Sequence, residues 1–175
     1  EEVTAYPEAP ALRATVDKHM VAVHELANAT LYQAKPGEHL SSKGTRSKQT
    51  TLGTLICSRL RDCLGAEACM FNGGGIRAAR DYPERLTYAD VEAEVPFDNE
   101  VVVVSLPGRV IRDAVAASRA KAPLESGAFL QVDDRLIVEE PGSKVVAIDG
   151  APIDLDRHYQ VATVREILLG LDHVE

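Results

Sequence analysis

The chain has 175 residues, 45% hydrophobic and 26% charged, with 19 Lys and Arg against 27 Asp and Glu. This is the composition of one folded domain, or one domain with an appended helix, and it excludes a disordered chain. A net charge of −8, 5% aromatics and no Trp exclude a nucleic-acid polymer as partner, and the longest strongly apolar run, Val101–Val104, is far too short to span a membrane.

Residues 1–11 hold two prolines and three glutamates and are expected to be a frayed entry, with no secretory leader. Leu12, Val16, Met20, Val23 and Leu26 recur at helical spacing. Residues 1–28 are therefore expected to form a linker helix region and residues 29–175 a single domain. Thr30–Ala34 could be a strand, and residues 35–50, rich in Gly, Ser, Lys and Thr, a loop. Leu52, Leu55, Ile56, Leu60 and Leu64 predict an amphipathic helix capped by Thr50 or Thr51 and stopped by Gly65. Ala68–Phe71 reads as a buried strand running into Asn72-Gly73-Gly74-Gly75.

Thr87-x-x-Asp90 resembles a capping box for a short helix ending before Pro96. Val101–Leu106 predicts a strand and Arg109–Lys121 a second amphipathic helix. Short strands are expected at Ala128–Val132, Leu136–Val138, Val145–Ile148 and Tyr159–Val164. Helices and strands alternate early and strands cluster late, which predicts an α/β domain of the α+β type with a mixed sheet.

The run Phe71-Asn72-Gly73-Gly74-Gly75-Ile76-Arg77 is the most unusual feature. Three glycines permit positive φ and let a ligand approach backbone N–H groups, and Arg77 offers a fork for phosphate or carboxylate. The alternative is a flexible turn with a solvated arginine. The run is neither a Walker A loop nor GxGxxG. His19 and His24 lie on the first helix without metal-ligand spacing, and no cluster of Asp, His and Asn suggests a two-metal centre. Cys57, Cys63 and Cys69 fit no zinc pattern. Phe97, in Val95-Pro96-Phe97-Asp98-Asn99, is either a core plug or a stacking face.

From Arg46 to Asp172 the ordered motifs resemble the C-terminal domain of the 5′-nucleotidase family, which includes UDP-sugar hydrolases. The family's Arg-x-x-Glu-x-x-Leu-Gly-Asn-Leu appears as Arg46 to Leu55, Asn-Gly-Gly-Gly-Ile-Arg is intact at Asn72–Arg77, and Pro-Phe-x-Asn is intact at Pro96–Asn99. Gly127-x-Phe129-Leu130-Gln131-Val132 is a further matching segment. The resemblance implies a substrate-binding domain. Arg46 and Arg77 would contact a substrate phosphate, Asn72 and Gly74 would line the site, Phe97 would stack on a base, and Asp172 would sit near ribose hydroxyls.

The resemblance also implies a nucleotide or other small phosphate ester as ligand, and no cofactor in this fragment. Catalysis would lie in a separate N-terminal metallophosphatase domain of the same parent, holding two divalent metals such as Zn or Mn, in a periplasmic or extracellular setting. Cys57 and Cys69 fall where some animal members carry a bridged pair; buried free thiols are the alternative. Three features depart from the family. The segment Arg165-Glu166-Ile167 lacks a second base-stacking aromatic. Gln49 and Thr54 replace a usual Glu and Asn. Ser42, next to Lys43, stands where some bacterial members carry another phosphate-binding arginine.

Overall fold

A computed structural model describes residue 7 and residues 9–139 and 143–170. Four helices and eleven strands follow in the order α1 (Pro10–Ala27), β1 (Thr30–Gln33), β2 (Leu40–Ser41), α2 (Thr51–Leu64), β3 (Ala68–Asn72), β4 (Asp81–Tyr82), β5 (Arg85–Thr87), α3 (Tyr88–Glu94), β6 (Val101–Pro107), α4 (Gly108–Arg119), β7 (Leu130–Val132), β8 (Leu136–Glu139), β9 (Lys144–Ile148), β10 (Ala151–Pro152) and β11 (His158–Val164). Short 3-10 turns cover Gly73–Gly75 and Arg165–Leu169. This is the mixed α/β architecture that the order of elements predicts.

The principal sheet has the order β6-β11-β3-β7. β11 runs antiparallel to β6 and parallel to β3, and β3 runs antiparallel to β7. Every residue of β3 is buried, as its continuous apolar run requires of a strand covered on both faces. α2 and α4 contribute Cys57, Ile111 and Val115 to the core beside this sheet, and β8 and β9 contribute Leu136, Val145 and Ile148. A second, smaller cluster of Leu40, Leu52, Tyr82 and Leu86 joins the β2–β4 pair to α2.

Local chemistry sets the helix ends. Thr50 caps α2 by accepting from the Gly53 N–H, and Gly65 ends it in the left-handed region at φ 64°. The box at α3 is fully formed, with Thr87 accepting from the Asp90 N–H and Asp90 accepting from the Thr87 N–H. α1 forms on its periodic pattern but buries no residue. Leu12, Val16, Val23 and Leu26 are all about half exposed or more, although α1 touches α3 and Met20 is partly buried.

Two sequence expectations change. β2, β4, β5 and β10 were not predicted, since each is only two or three residues long and carries no periodicity, and the partners of β2, β4 and β5 lie far along the chain. Gly73, Gly74 and Gly75 are not among the glycines with positive φ. Their need is close approach: a Cβ on Gly73 would stand 2.1 Å from the Thr45 carbonyl oxygen, and one on Gly75 would stand 2.7 Å from the Phe71 ring.

Candidate functional site

The sheet register gathers the site at one end. β3 and the parallel β11 both end there, so Asn72–Arg77 leave one strand beside the Arg165-Glu166 exit from the other. Val164, the last residue of β11, pairs with Val101, the first of β6. The segment preceding β6, with Phe97 and Asn99, is thereby brought to the same edge. Ligand sites beyond the carboxyl ends of parallel strands are the general expectation for such sheets.

Arg46 arrives from the loop before α2. Gly44, at φ 87°, turns that loop, and the Gly44 carbonyl accepts from the N–H groups of Ser47 and Lys48 at 2.9 and 3.0 Å. Gln131 in β7, fully buried, fastens the rest. Its Nε2 donates to the carbonyls of Thr45 and Lys48 at 2.8 and 2.7 Å, and its Oε1 accepts from the Thr50 N–H at 2.9 Å. The Arg46 carbonyl itself accepts from Ser126 N–H at 2.8 Å.

Arg77 is fixed through Glu94. The Arg77 N–H donates to the Glu94 carbonyl at 2.8 Å, and the Ala78 N–H to Glu94 Oε2 at 3.1 Å. Glu94 Oε1 accepts from Ser42 Oγ at 2.6 Å and Tyr82 OH at 2.8 Å. This buried carboxyl ties the Arg77 segment to β4 and to the residue after β2. Burial, with the Glu94 hydrogen bond second, pushes the Tyr82 phenol above its ordinary value.

Arg46, Asn72, Gly74, Arg77 and Phe97 line one recess of about 310 Å³, together with Asn99 and Glu166. Both arginines also border an adjoining recess of about 240 Å³. The Arg77 guanidinium stands over the Phe97 ring, 5.7 Å from its centroid. Phe97 is 48% exposed, so it is a surface face and not a core plug. Asp172 lies outside the described residues. Among the described residues neither Arg46 nor Arg77 has a carboxylate within ion-pairing distance, whereas Arg61, Arg109 and Arg157 each do. Two cations without a direct ion pair beside an aromatic face are an arrangement that can take a small anion carrying an organic ring.

The glycine run contributes shape and not an anion nest. The Gly73 N–H donates to the Phe129 carbonyl at 2.7 Å and the Gly74 N–H to the Gly127 carbonyl at 3.0 Å. The expectation that those two groups meet a ligand is corrected: they are consumed in joining β3 to the segment before β7. Among the described residues no group of three or more His, Cys, Asp and Glu could hold a metal ion.

The family model for the 5′-nucleotidase C-terminal domain matches residues 26–175. The chain belongs to that family. It is 32% identical to Protein UshA of Yersinia enterocolitica over 74% of this chain and 24% of that protein. It is 26% identical to the human 5′-nucleotidase over 83% of this chain and 28% of that one. The structure superposes with a TM-score of 0.70 and 27% identity on the crystal structure of a 5′-nucleotidase precursor from Thermus thermophilus, covering 98% of this chain and 36% of that chain. The chain thus spans about a quarter of the length of these two curated relatives.

Within this 5′-nucleotidase C-terminal domain the departures from the family motifs have distinct consequences. Gln49 and Thr54 fall on one hydrogen bond, Gln49 Nε2 donating to Thr54 Oγ1 at 2.9 Å, and Gln49 Oε1 accepts from Arg119 at 2.7 Å. Neither lines the recess, so that pair of changes is structural. Ser42 is committed to Glu94, and Lys43 to an exposed pair with Asp81; neither adds a cation to the recess. Glu166 does line it. Cys57 and Cys69 are buried free thiols, with no bridge between them. Burial, with Cys69 as hydrogen-bond neighbour, pushes the Cys57 thiol well up. Asn99 and the anchoring residues Glu94 and Gln131 were not singled out from sequence; Asn99 and Gln131 stood inside matching segments, whereas Glu94 gave no signal.

Proposed function

We propose that this domain holds the phosphate of a nucleotide or other small phosphate ester and orients it for hydrolysis by a metallophosphatase domain of a longer parent chain. One observation carries the reading: Arg46 and Arg77, both without carboxylate partners among the described residues, share a recess with the exposed ring of Phe97. The arginines would take the phosphate oxygens, Asn72 and Gly74 would shape the floor, and Phe97 would cover one face of the organic ring. Asp172 would reach ribose hydroxyls. α1, with its unburied apolar stripe, would be the linker helix, residues 1–28 preceding the domain at 29–175.

As the family resemblance implies, two divalent ions such as Zn or Mn would be held by the parent's other domain. This chain's part is positioning, which lowers the entropic share of the barrier. The family's periplasmic or extracellular setting would apply to the parent. The altered segment from Arg165, where Glu166 stands in place of an aromatic, favours a second reading: a non-catalytic binding or structural module of a divergent family member with altered or lost nucleotide specificity.

The test is a titration of the chain with inorganic phosphate and AMP, followed by amide NMR. Arg77→Ala should weaken both by about tenfold or more, the scale of a charge-assisted hydrogen bond. Arg109→Ala, whose side chain pairs with exposed Asp156, should leave both within twofold. Equal effects from the two variants would refute the assignment.

A further inference from the structure

Glu166 is the odd member of the recess. It lies two residues past the end of β11 and is half-buried, and its Oε2 is out of contact with solvent and, among the described residues, has no hydrogen-bond partner. The fully buried carboxyl groups among the described residues are answered. Glu94 accepts from Ser42, Tyr82 and Ala78, and Asp133 from Arg61, Cys69 and Arg135. A carboxyl oxygen withdrawn from water without a donor is costly, and the cost is relieved when a donor arrives.

The surroundings restrict what that donor is. A second anion is opposed by Glu166 itself. A metal cation is opposed by Arg46 and Arg77, which line the same recess. A neutral group bearing N–H or O–H donors meets neither objection. The two oxygens of one carboxyl can accept from two adjacent donors at once, and the terminal torsion of Glu is broad, so turning them toward a ligand costs little. Phe97 supplies a flat face beside it.

We propose that Glu166 is a specificity-determining residue of this recess, selecting phosphate esters whose ring carries two adjacent hydrogen-bond donors. Vicinal sugar hydroxyls and the N–H edge of an aminated base are the two sources of that chemistry. The inference rests on the recess being a phosphate site as proposed above.

The test compares the unaltered 175-residue chain with Glu166→Gln, a near-isosteric change whose amide NMR spectrum also reports the fold. The probes are inorganic phosphate, phenyl phosphate, ribose 5-phosphate and the 5′-monophosphate of 2′,3′-dideoxyguanosine. Glu166→Gln should weaken ribose 5-phosphate, the dideoxynucleotide or both by about tenfold, while phosphate and phenyl phosphate stay within twofold. Loss confined to ribose 5-phosphate identifies the hydroxyls as the source, and loss confined to the dideoxynucleotide identifies the base edge. Unchanged affinities, or an equal change for all four probes, overturn the inference while leaving the phosphate site standing. No response to any probe in the unaltered chain overturns the phosphate site and the inference with it.

Discussion

Gln131 holds Thr45. The buried Gln131 Nε2 donates to the Thr45 carbonyl at 2.8 Å, and that carbonyl belongs to the residue before Arg46. The same oxygen stands where only glycine fits at position 73. The Arg46 loop and the Asn72–Arg77 run are therefore locked against each other through one carbonyl, and the relative placement of the two arginines is a property of the core.

Gln131→Ala should lower stability by about 3 kcal/mol or more. It leaves the buried Thr45 carbonyl and Thr50 N–H and the part-buried Lys48 carbonyl without their partner, the buried groups at about 1–3 kcal/mol each before water enters. Urea denaturation measures it, and phosphate affinity should fall in parallel because the Arg46 loop loosens. A loss below about 1 kcal/mol would show that the loop is held by other contacts.

Gly53 lies inside α2, and a Cβ there would stand 2.2 Å from Gln131 Oε1. Helix propensity alone predicts that Gly53→Ala stabilises by about 1 kcal/mol. The clash should win, because Gln131 is pinned by its own hydrogen bonds and overpacking costs about 1–3 kcal/mol. In the Gln131→Ala background the obstacle is gone, and Gly53→Ala should become neutral or stabilising. A double-mutant cycle that shows no coupling would refute this account of the glycine.

The sequence showed α2, α3 and β3 clearly because Thr50, Gly65 and the Thr87-Asp90 box are local signals. It did not show the pairing of Leu40 with Tyr82 or of Tyr32 with Leu86, since strands this short carry no periodicity and their partners are distant. Arg46, Asn72, Arg77 and Phe97 were legible because they stand in contiguous motifs. Glu94 was not: in Glu92-Ala93-Glu94 it reads as one more solvated acid, and only the tertiary approach of Ser42 and Tyr82 buries it. The glycine run was found but its reason was not, because close approach by Thr45 leaves no trace in local sequence.

The three thiols should react in two classes. Cys63 is exposed, while Cys57 and Cys69 are buried. Burial pushes the Cys57 thiol up, which keeps it protonated and unreactive. A thiol reagent at neutral pH should modify one cysteine quickly and the other two only on unfolding, with three thiols counted in denaturant. A count of one in denaturant without reductant would mean that Cys57 and Cys69 are bridged in the isolated protein.

Glu94 should act on Arg77 through the backbone, and Tyr82 reports on it. Burial and the Glu94 hydrogen bond raise the Tyr82 pKa. A phenol whose folded pKa is raised contributes stability that is complete below the unfolded value near 10 and is lost as pH climbs through the folded value. Stability should therefore decline above about pH 10, and the absorbance titration should show a late phase from Tyr82, ionising well above the ordinary phenol value near 10. Glu94→Gln keeps an oxygen for the Ala78 N–H and turns its amide toward two hydroxyls that can accept, so it should fold. It should bring the late tyrosine down only part of the way, because burial is the larger cause. Glu94→Ala strands the Ala78 N–H and opens a cavity, costing about 3–5 kcal/mol, and it should weaken phosphate binding while Arg77 itself is intact. If the late tyrosine persists unchanged in Glu94→Gln, or if Glu94→Ala binds phosphate as the parent does, Glu94 does not set the Arg77 segment.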